Sequence, residues 1–492
     1  MKKYIMAIDQ GTTSTRAILF DRKGDLKYSA QREVLCSYPK PGWVEEEPLK
    51  ILISMIDVIN DVLITANTTL DEVDSIGLTN QRETTIIWEK KTGLPVYNAI
   101  VWQSRQSQAI CDSLKEYKHM IHQKTGLLIN PYFSASKIRF ILDAIPNGQE
   151  RAERGELLFG TVDSWLIYKA TRGKMHATDV SNASRTLLYN INAKEWDNEL
   201  LSLFNIPKCL LPMVKPSSYD YGKLAILDSD VHIMGVAGDQ QAALFGQACF
   251  DKGESKNTYG TGCFALMNIG ERPVFSQSGL LTTIAWEIDG KTTYALEGSV
   301  FIGGAVVQWL RDEMYMIRDA DESEHVAKKV SDSGGVYVVP AFVGLGTPYW
   351  DNDARGAVFG LTRGSSRAHF VRACLESIAF QSKDVLEVMK KEAHLKLKSL
   401  RVDGGATKNS LLLQFQADIL RCKILLPQCL ETTALGVAYL AGLQSGFWKD
   451  IAEIKMFHCN QKTFVPTMKS SLVKSKYSGW KKAIKATRIF KN

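Results

Sequence analysis

Two aspartates, each followed by glutamine, stand some 230 residues apart in this 492-residue chain: Asp9-Gln10 and Asp239-Gln240. Asp9 closes the apolar run Ile5-Met6-Ala7-Ile8 and precedes Gly11-Thr12-Thr13-Ser14-Thr15-Arg16. Asp239 follows Gly235-Val236-Ala237-Gly238. Two such carboxylates suit phosphoryl transfer, which needs one near the metal and phosphates and one near the attacking hydroxyl. Behind Asp9, a glycine, hydroxyl residues and an arginine could hold phosphate through backbone N–H groups, hydroxyls and a cation. The same residues could also form an ordinary polar β-turn.

The elements that must hold these groups follow from periodicity. Ile5–Ile8 predicts a buried strand, and Ala17-Ile18-Leu19-Phe20 predicts a second. Strand–turn–strand excludes a P-loop, whose phosphates sit on a helix N-terminus. Gly290-Lys291-Thr292 resembles the end of a Walker A motif, but Ala285 stands where its first glycine is required. The flanking runs predict two strands joined by a hairpin turn at Asp289-Gly290. No Gly-x-Gly-x-x-Gly fingerprint occurs.

Two more glycine clusters complete the nucleotide candidates. Thr258-Tyr259-Gly260-Thr261-Gly262-Cys263-Phe264 repeats the design of the first loop. Leu400-Arg401-Val402-Asp403 predicts a strand running into Gly404-Gly405, where backbone can approach a flat ligand closely. Asn409 then opens a helical pattern of Leu411, Leu412, Phe415 and Ile419. Each cluster alone is a tight turn. Three such loops and two Asp-Gln turns in one chain point to one shared nucleotide site.

From Tyr4 to about Trp448 the chain resembles the FGGY carbohydrate kinase family, which includes glycerol, xylulose and gluconate kinases. The resemblance rests on Asp9-Gln-Gly-Thr-Thr-Ser14, Asn80-Gln-Arg-Glu-Thr-Thr85, Val101-Trp-Gln103, Pro131-Tyr-Phe-Ser134, Gly238-Asp-Gln-Gln241, Asn257-Thr-Tyr-Gly-Thr-Gly-Cys263 and Glu431-Thr-Thr-Ala-Leu-Gly436. The family's C-terminal signature runs from Gly356-Ala-Val-Phe-Gly-Leu361 through His369 to Ala373-Cys-Leu-Glu376. Its N-terminal signature fits around Tyr132 to Lys137, with Phe140 where tryptophan is usual.

The resemblance implies transfer from Mg²⁺-bound ATP to a terminal hydroxyl of a polyol, with glycerol as the acceptor. It assigns Asp239 as general base and Asp9 to the magnesium, with Asp239 beside the metal. Thr12, Thr13, Ser14 and Arg16 would hold the transferring phosphate. Thr261, Gly304, Gln308, Gly405 and Asn409 would carry the rest of the nucleotide. Arg82, Glu83, Tyr132, Asp239 and Gln240 would bind the acceptor hydroxyls, and Trp102 and Phe264 would cover its carbon face. Read singly, Arg82-Glu83 could be a surface ion pair and the two aromatics ordinary core. A kinase for another polyol or ketose is the alternative within the family. An actin-like or chaperone-like ATP-driven binding protein is the alternative outside it.

The implied fold is α/β: two ribonuclease-H-like domains of the actin and hexokinase type, with the active site in the cleft between them. Loop spacing divides the chain into residues 1–247 and 248–492. The first part carries the acceptor residues, the first phosphate loop and Asp239. The second carries the second phosphate loop and the adenosine segment.

Composition agrees with a soluble enzyme: 45% apolar residues, 23% charged and no apolar run of about 18 residues. A signal peptide at the N-terminus would remove the Asp9 loop, so a cytoplasmic location is expected. Nine cysteines, none in a Cys-x-x-Cys pair, read as free thiols. His119 and His122 share a helical face, but nothing in the pattern joins them to make a metal site.

From Lys455 to Lys491 the chain carries ten basic residues and no acid, more than the whole formal excess of +7. Val473, Tyr477, Trp480 and Ile484 recur at helical spacing, which predicts one docked face with solvated lysines opposite. Weak contact with an anionic membrane surface is compatible with that charge, whereas no nucleic-acid reader motif accompanies it. The resemblance further implies a homo-oligomer, dimer or tetramer. Two controls known in the family, by fructose 1,6-bisphosphate and by histidine phosphorylation, use a loop before the catalytic aspartate. Residues Ser217 to Val231 lack the required Gly-Gly-Thr-Arg-type sequence and any histidine, so neither control is expected.

Overall fold

The computed structural model describes residues 2–351 and 353–490; Lys491 of the basic C-terminal run lies outside them. Two mixed sheets organise the chain. The first is built from β1 (Tyr4–Gln10), β2 (Ser14–Phe20), β3 (Leu26–Glu33), β4 (Val73–Asn80) and β5 (His232–Gly238), in the order β5-β4-β1-β2-β3. The second contains β6 (Ser255–Tyr259), β7 (Cys263–Gly270), β8 (Leu281–Ile288), β9 (Lys291–Val300), β10 (Ser399–Asp403), β11 (Lys423–Pro427) and β12 (Asn460–Phe464). Its order is β8-β9-β7-β6-β10-β11-β12.

The two sheets share one wiring. In each, the first strand pairs antiparallel with the second and parallel with a later strand (β1 with β2 and β4; β6 with β7 and β10). A further parallel strand then follows on the same side, β5 in one sheet and β11 in the other. This repeated plan is the duplicated ribonuclease-H-like architecture.

Both expected hairpins form. Asp9 lies opposite Arg16 across β1 and β2, and the Gly11 N–H closes the turn on the Ser14 carbonyl at 2.9 Å. At the β8–β9 turn, Asp289 (φ 50°) and Gly290 (φ 73°) are both left-handed, as a two-residue turn matched to strand twist requires.

Among the helices are α1 (Pro48–Thr65), α2 (Ser134–Ala144), α3 (Asp239–Gly246), α4 (Ala305–Asp312), α5 (Arg367–Glu392), α6 (Ser410–Leu420), α7 (Thr432–Ser445) and α8 (Ser470–Ile489). The α3–α7 pair sits between the sheets. One buried cluster joins Ile5, Ala7, Ile18 and Phe20 of the first sheet to Leu266, Ala285, Trp286 and Ala295 of the second, through Leu244, Phe245, Leu435 and Val437 of the two helices. The helices approach closely because glycines face backbone. A Cβ on Gly436 would lie 1.9 Å from the Ala242 carbonyl oxygen, and one on Gly246 would lie 1.9 Å from that of Thr432.

The C-terminal helix docks by the expected face. Val473, Trp480 and Ile484 are buried. Tyr477 Oη and Trp480 Nε1 both donate to the buried Asp384 carboxylate of α5, at 2.6 and 2.7 Å. Phe140, the departure from the family pattern, packs edge-on against Trp43 with ring centres 5.4 Å apart. All nine cysteines are free thiols. Among the described residues, no helix is long and apolar enough to cross a membrane.

Candidate active site

Asp239 follows β5 and opens α3, so its carboxylate sits at a helix N-terminus, where negative charge is favoured. It accepts from the Gln240 backbone N–H at 2.7 Å, and Arg82 Nε lies 3.2 Å from Oδ1. Its side chain is 35% exposed, enough to meet a ligand.

Arg82 follows β4 and is buried, as is Glu83. The two are not a surface ion pair, and they are not chiefly each other's partner. Arg82 makes a bidentate pair with Glu297 of β9, at 2.5 and 3.0 Å, while its Nε stands 3.5 Å from Glu83. Glu83 accepts from Arg185 Nε at 2.7 Å, and Arg185 Nη2 also donates to Glu297 at 3.0 Å. Burial alone would raise the Glu297 carboxyl; Arg185 and Arg82 outweigh it and hold the group down to about 2. The result is a closed square of two arginines and two carboxylates with fixed donors and acceptors.

Tyr132 joins this square: Arg82 Nη2 donates to its hydroxyl at 3.3 Å. Trp102 meets Tyr132 edge-on, with centroids 5.5 Å apart, and its Nε1 donates to Thr12 Oγ1 at 2.9 Å. Trp102 therefore ties Tyr132 and the ionic square to the Gly11–Ser14 turn. Phe264 reaches the same region from the second sheet. It lies opposite Thr258 and Ser299, two positions from the level of Lys256 and Glu297. Strand alternation puts all five side chains on one face.

The first turn carries Thr12, Thr13 and Ser14, with Thr13 exposed and the other two half-buried. Arg16 donates to Glu431, just before α7, at 2.8 Å and to Gln31 at 2.9 Å. Asp9 is the strained carboxylate of the site. Burial pushes it up to about 7; Arg16 opposes the rise, and the negative charges of Asp239 and Glu431 add to it.

Thr261, Gly304, Gln308, Gly405 and Asn409 come together around one cavity of about 680 Å³, with Leu375 and Leu412 among its apolar lining. The cavity lies where the loop after β6, the start of α4 and the turn after β10 converge. Asn409 also caps α6, its side chain accepting from the Leu412 N–H at 2.9 Å. Loop glycines fit this wall because a Cβ on Gly304 would lie 2.7 Å from the Gly260 carbonyl oxygen.

Four buried residues of the site escaped the sequence reading. Glu297 and Arg185 complete the ionic square. Lys137 of α2 donates to the carbonyls of Tyr132 and Glu83 at 2.5 and 3.1 Å, and burial pushes its amine down to about 7. Lys256 of β6 donates to Gln240 Oε1 at 2.5 Å and to Thr258 Oγ1 at 2.8 Å. For Lys256 and Glu297 the only sequence signal is a charged residue inside a strand pattern, as in Ser255-Lys256-Asn257; Lys137 stood in the N-terminal signature without a role, and Arg185 sits in a turn with no pattern of its own.

Residues 4–246 match the N-terminal domain of the FGGY family of carbohydrate kinases, and residues 255–445 match its C-terminal domain. A glycerol kinase of Bacillus cereus is 57% identical over 496 residues, covering the whole of both chains, and one of Bacillus anthracis is equally similar. Among solved structures, Plasmodium falciparum glycerol kinase with ADP superposes with a TM-score of 0.94 at 37% identity, covering 98% of each chain. Gluconate kinase from Lactobacillus acidophilus shares the fold, with a TM-score of 0.89 at 24% identity over 99% of each chain.

Proposed function

The chain belongs to the FGGY family of carbohydrate kinases, and we propose from that premise that it transfers the γ-phosphoryl group of ATP to a terminal hydroxyl of glycerol, giving glycerol 3-phosphate. The observation that carries the acceptor is the buried square of Arg82, Glu83, Arg185 and Glu297 beside Tyr132 and Asp239. A small uncharged triol needs paired donors and acceptors plus an apolar wall. Arg82, Glu83, Tyr132 and Gln240 supply the first, and Trp102 and Phe264 supply the second.

Asp239 accepts the proton of the attacking hydroxyl at its exposed carboxylate as the oxygen bonds to the γ-phosphorus and the bond to ADP breaks. Thr12, Thr13, Ser14 and Arg16 hold the transferring group and spread its charge, the kind of electrostatic positioning that dominates phosphoryl transfer. Thr261, Gly304, Gln308, Gly405 and Asn409 anchor the nucleotide.

The residues present suit Mg²⁺ delivered with the nucleotide. Among the described residues, no group of three ligating side chains forms a protein cage. Burial chiefly raises the Asp9 carboxyl and the negative charges of Asp239 and Glu431 add to it, a site that a cation would relieve. One or two carboxylates plus phosphate oxygens is the usual magnesium arrangement. Asp9 and Asp239 would hold the ion, which when bound supplies charge neutralisation across the phosphates.

Two domains, 1–247 and 248–492, a cytoplasmic location and a dimeric or tetrameric assembly belong to the same reading. Nine free thiols suit a reducing compartment.

The test is ADP release from Mg-ATP with glycerol, dihydroxyacetone, erythritol, xylulose, gluconate, 1,2-propanediol or no acceptor. Glycerol should be strongly preferred. Propanediol should be poor, because a missing hydroxyl strands the groups that bind it. Preference for a longer polyol would discard the acceptor assignment. ATP hydrolysis indifferent to every acceptor would discard the kinase.

A further inference from the structure

Lys256 is fully buried, on the strand that leads into the second phosphate loop. Its hydrogen-bond partners are two neutral oxygens, Gln240 Oε1 at 2.5 Å and Thr258 Oγ1 at 2.8 Å. A buried ammonium is costly unless its charge is supported. Burial, with the repulsion of Arg82, holds the Lys256 amine below the ordinary lysine range; Asp403, Asp239 and Glu297 oppose that shift and favour the charged form. Nothing in the proposed reaction so far uses this lysine.

We infer that Lys256 is a positioning residue that fixes the Gln240 side chain as a hydrogen-bond donor to the acceptor; the inference rests on the function proposed above. An ammonium can only donate, so the Gln240 oxygen must face it. The amide nitrogen is thereby turned to the other side, where Nε2 stands 3.3 Å from Asp239 Oδ2. A flipped amide would set its oxygen against the Asp239 carboxylate and its N–H groups against the ammonium, two repulsions at once. The orientation is thus set by the lysine N–H on one side of the amide and the Asp239 carboxylate on the other.

The Gln240 nitrogen carries two hydrogens. One faces Asp239, and the other serves an acceptor oxygen next to the hydroxyl that Asp239 deprotonates. Lys256 reaches from the second sheet to the residue after the proposed base on α3. It therefore couples the geometry of the acceptor to the strand that positions the nucleotide.

The test compares wild type, Lys256→Met, Gln240→Ala and the double variant in full-length protein, with KM for glycerol, KM for ATP and kcat measured separately. Lys256→Met should raise KM for glycerol about tenfold or more, the scale of one hydrogen bond to a well-placed donor. KM for ATP should stay within about twofold, since the nucleotide cavity does not include this side chain. The double variant should be no worse than the worse single one, because both remove the same contact.

Additive effects, or equal losses for glycerol and ATP, would reduce Lys256 to a structural residue and overturn the inference. Should Lys256→Met fail to fold, Gln240→Glu carries the same test. Its carboxylate keeps the lysine contact but offers no N–H, so KM for glycerol should rise similarly, and a wild-type KM overturns the idea. Wild-type turnover of glycerol is measured first. Its absence refutes the proposed function, whereas normal turnover with unchanged Lys256→Met kinetics refutes only the role of the lysine.

Discussion

Replacing Asp239 by asparagine keeps its shape and removes its ability to take a proton. A general base contributes about 10²–10⁴-fold. Asp239→Asn should therefore bind ATP normally and lose at least about 10²-fold in kcat; near wild-type turnover would exclude it as the base. Asp9 makes a different prediction, because its folded-state carboxyl is raised from 3.8 to about 7. A raised carboxyl costs stability as pH climbs: the unfolded chain ionises near 3.8, the folded one only near 7. The penalty grows across that window and is complete above it. Asp9→Asn should stabilise the nucleotide-free protein at pH 8 by roughly 1–2 kcal/mol, less than the full shift because water reaches the cleft. At pH 4 the gain should vanish. Equal denaturation midpoints at pH 8 would show that Asp9 is not strained.

At the scale of elements, the α3–α7 crossing decides where Asp239 lies. Gly246 and Gly436 let two backbones meet, and α7 also packs on β1, β4 and β5. Gly436→Val adds three carbons where even one would lie 1.9 Å from a carbonyl oxygen. The helices must separate, and overpacking of this kind costs about 1–3 kcal/mol or more. Urea denaturation should show that loss. Because α3 begins at Asp239, kcat should fall as well, although residue 436 touches no substrate. Unchanged stability would mean that the helices part without cost.

Across the whole molecule, the ionic square joins β4, the Arg185 segment and β9. Its members come from residues 82, 83, 185 and 297, so no local piece of chain contains it. Breaking one member of a buried charge set costs about 3–5 kcal/mol, since the remaining charges lose compensation. Glu297→Gln should destabilise the protein on that scale and weaken glycerol binding, with Arg82 less firmly held. A variant with wild-type stability and wild-type KM for glycerol would show that the square is dispensable. On the proposed reading, closure of the two halves over ATP would exclude water, so hydrolysis without acceptor should be slow.

Local chemistry was legible without coordinates. The Gly11–Ser14 turn, the Asp289-Gly290 hairpin, the Asn409 cap and the apolar face of α8 each depend on neighbours within a few residues, where residue type dictates backbone conformation. Thr261, Gly405 and Asn409 stood out through their own glycine and capping patterns, whereas Gly304 and Gln308 came from the family resemblance alone; the structure gathers all five around one cavity. What only the tertiary structure decided is pairing. Arg82 looked to Glu83 in sequence, yet its stronger partner is Glu297, brought in by the second sheet. Lys256 looked like an ordinary strand residue until β6 packed beside α3 and put its ammonium on Gln240. Electrostatic partners are set by distance in space, and strand order and helix crossing fix those distances only after distant segments of the chain have packed.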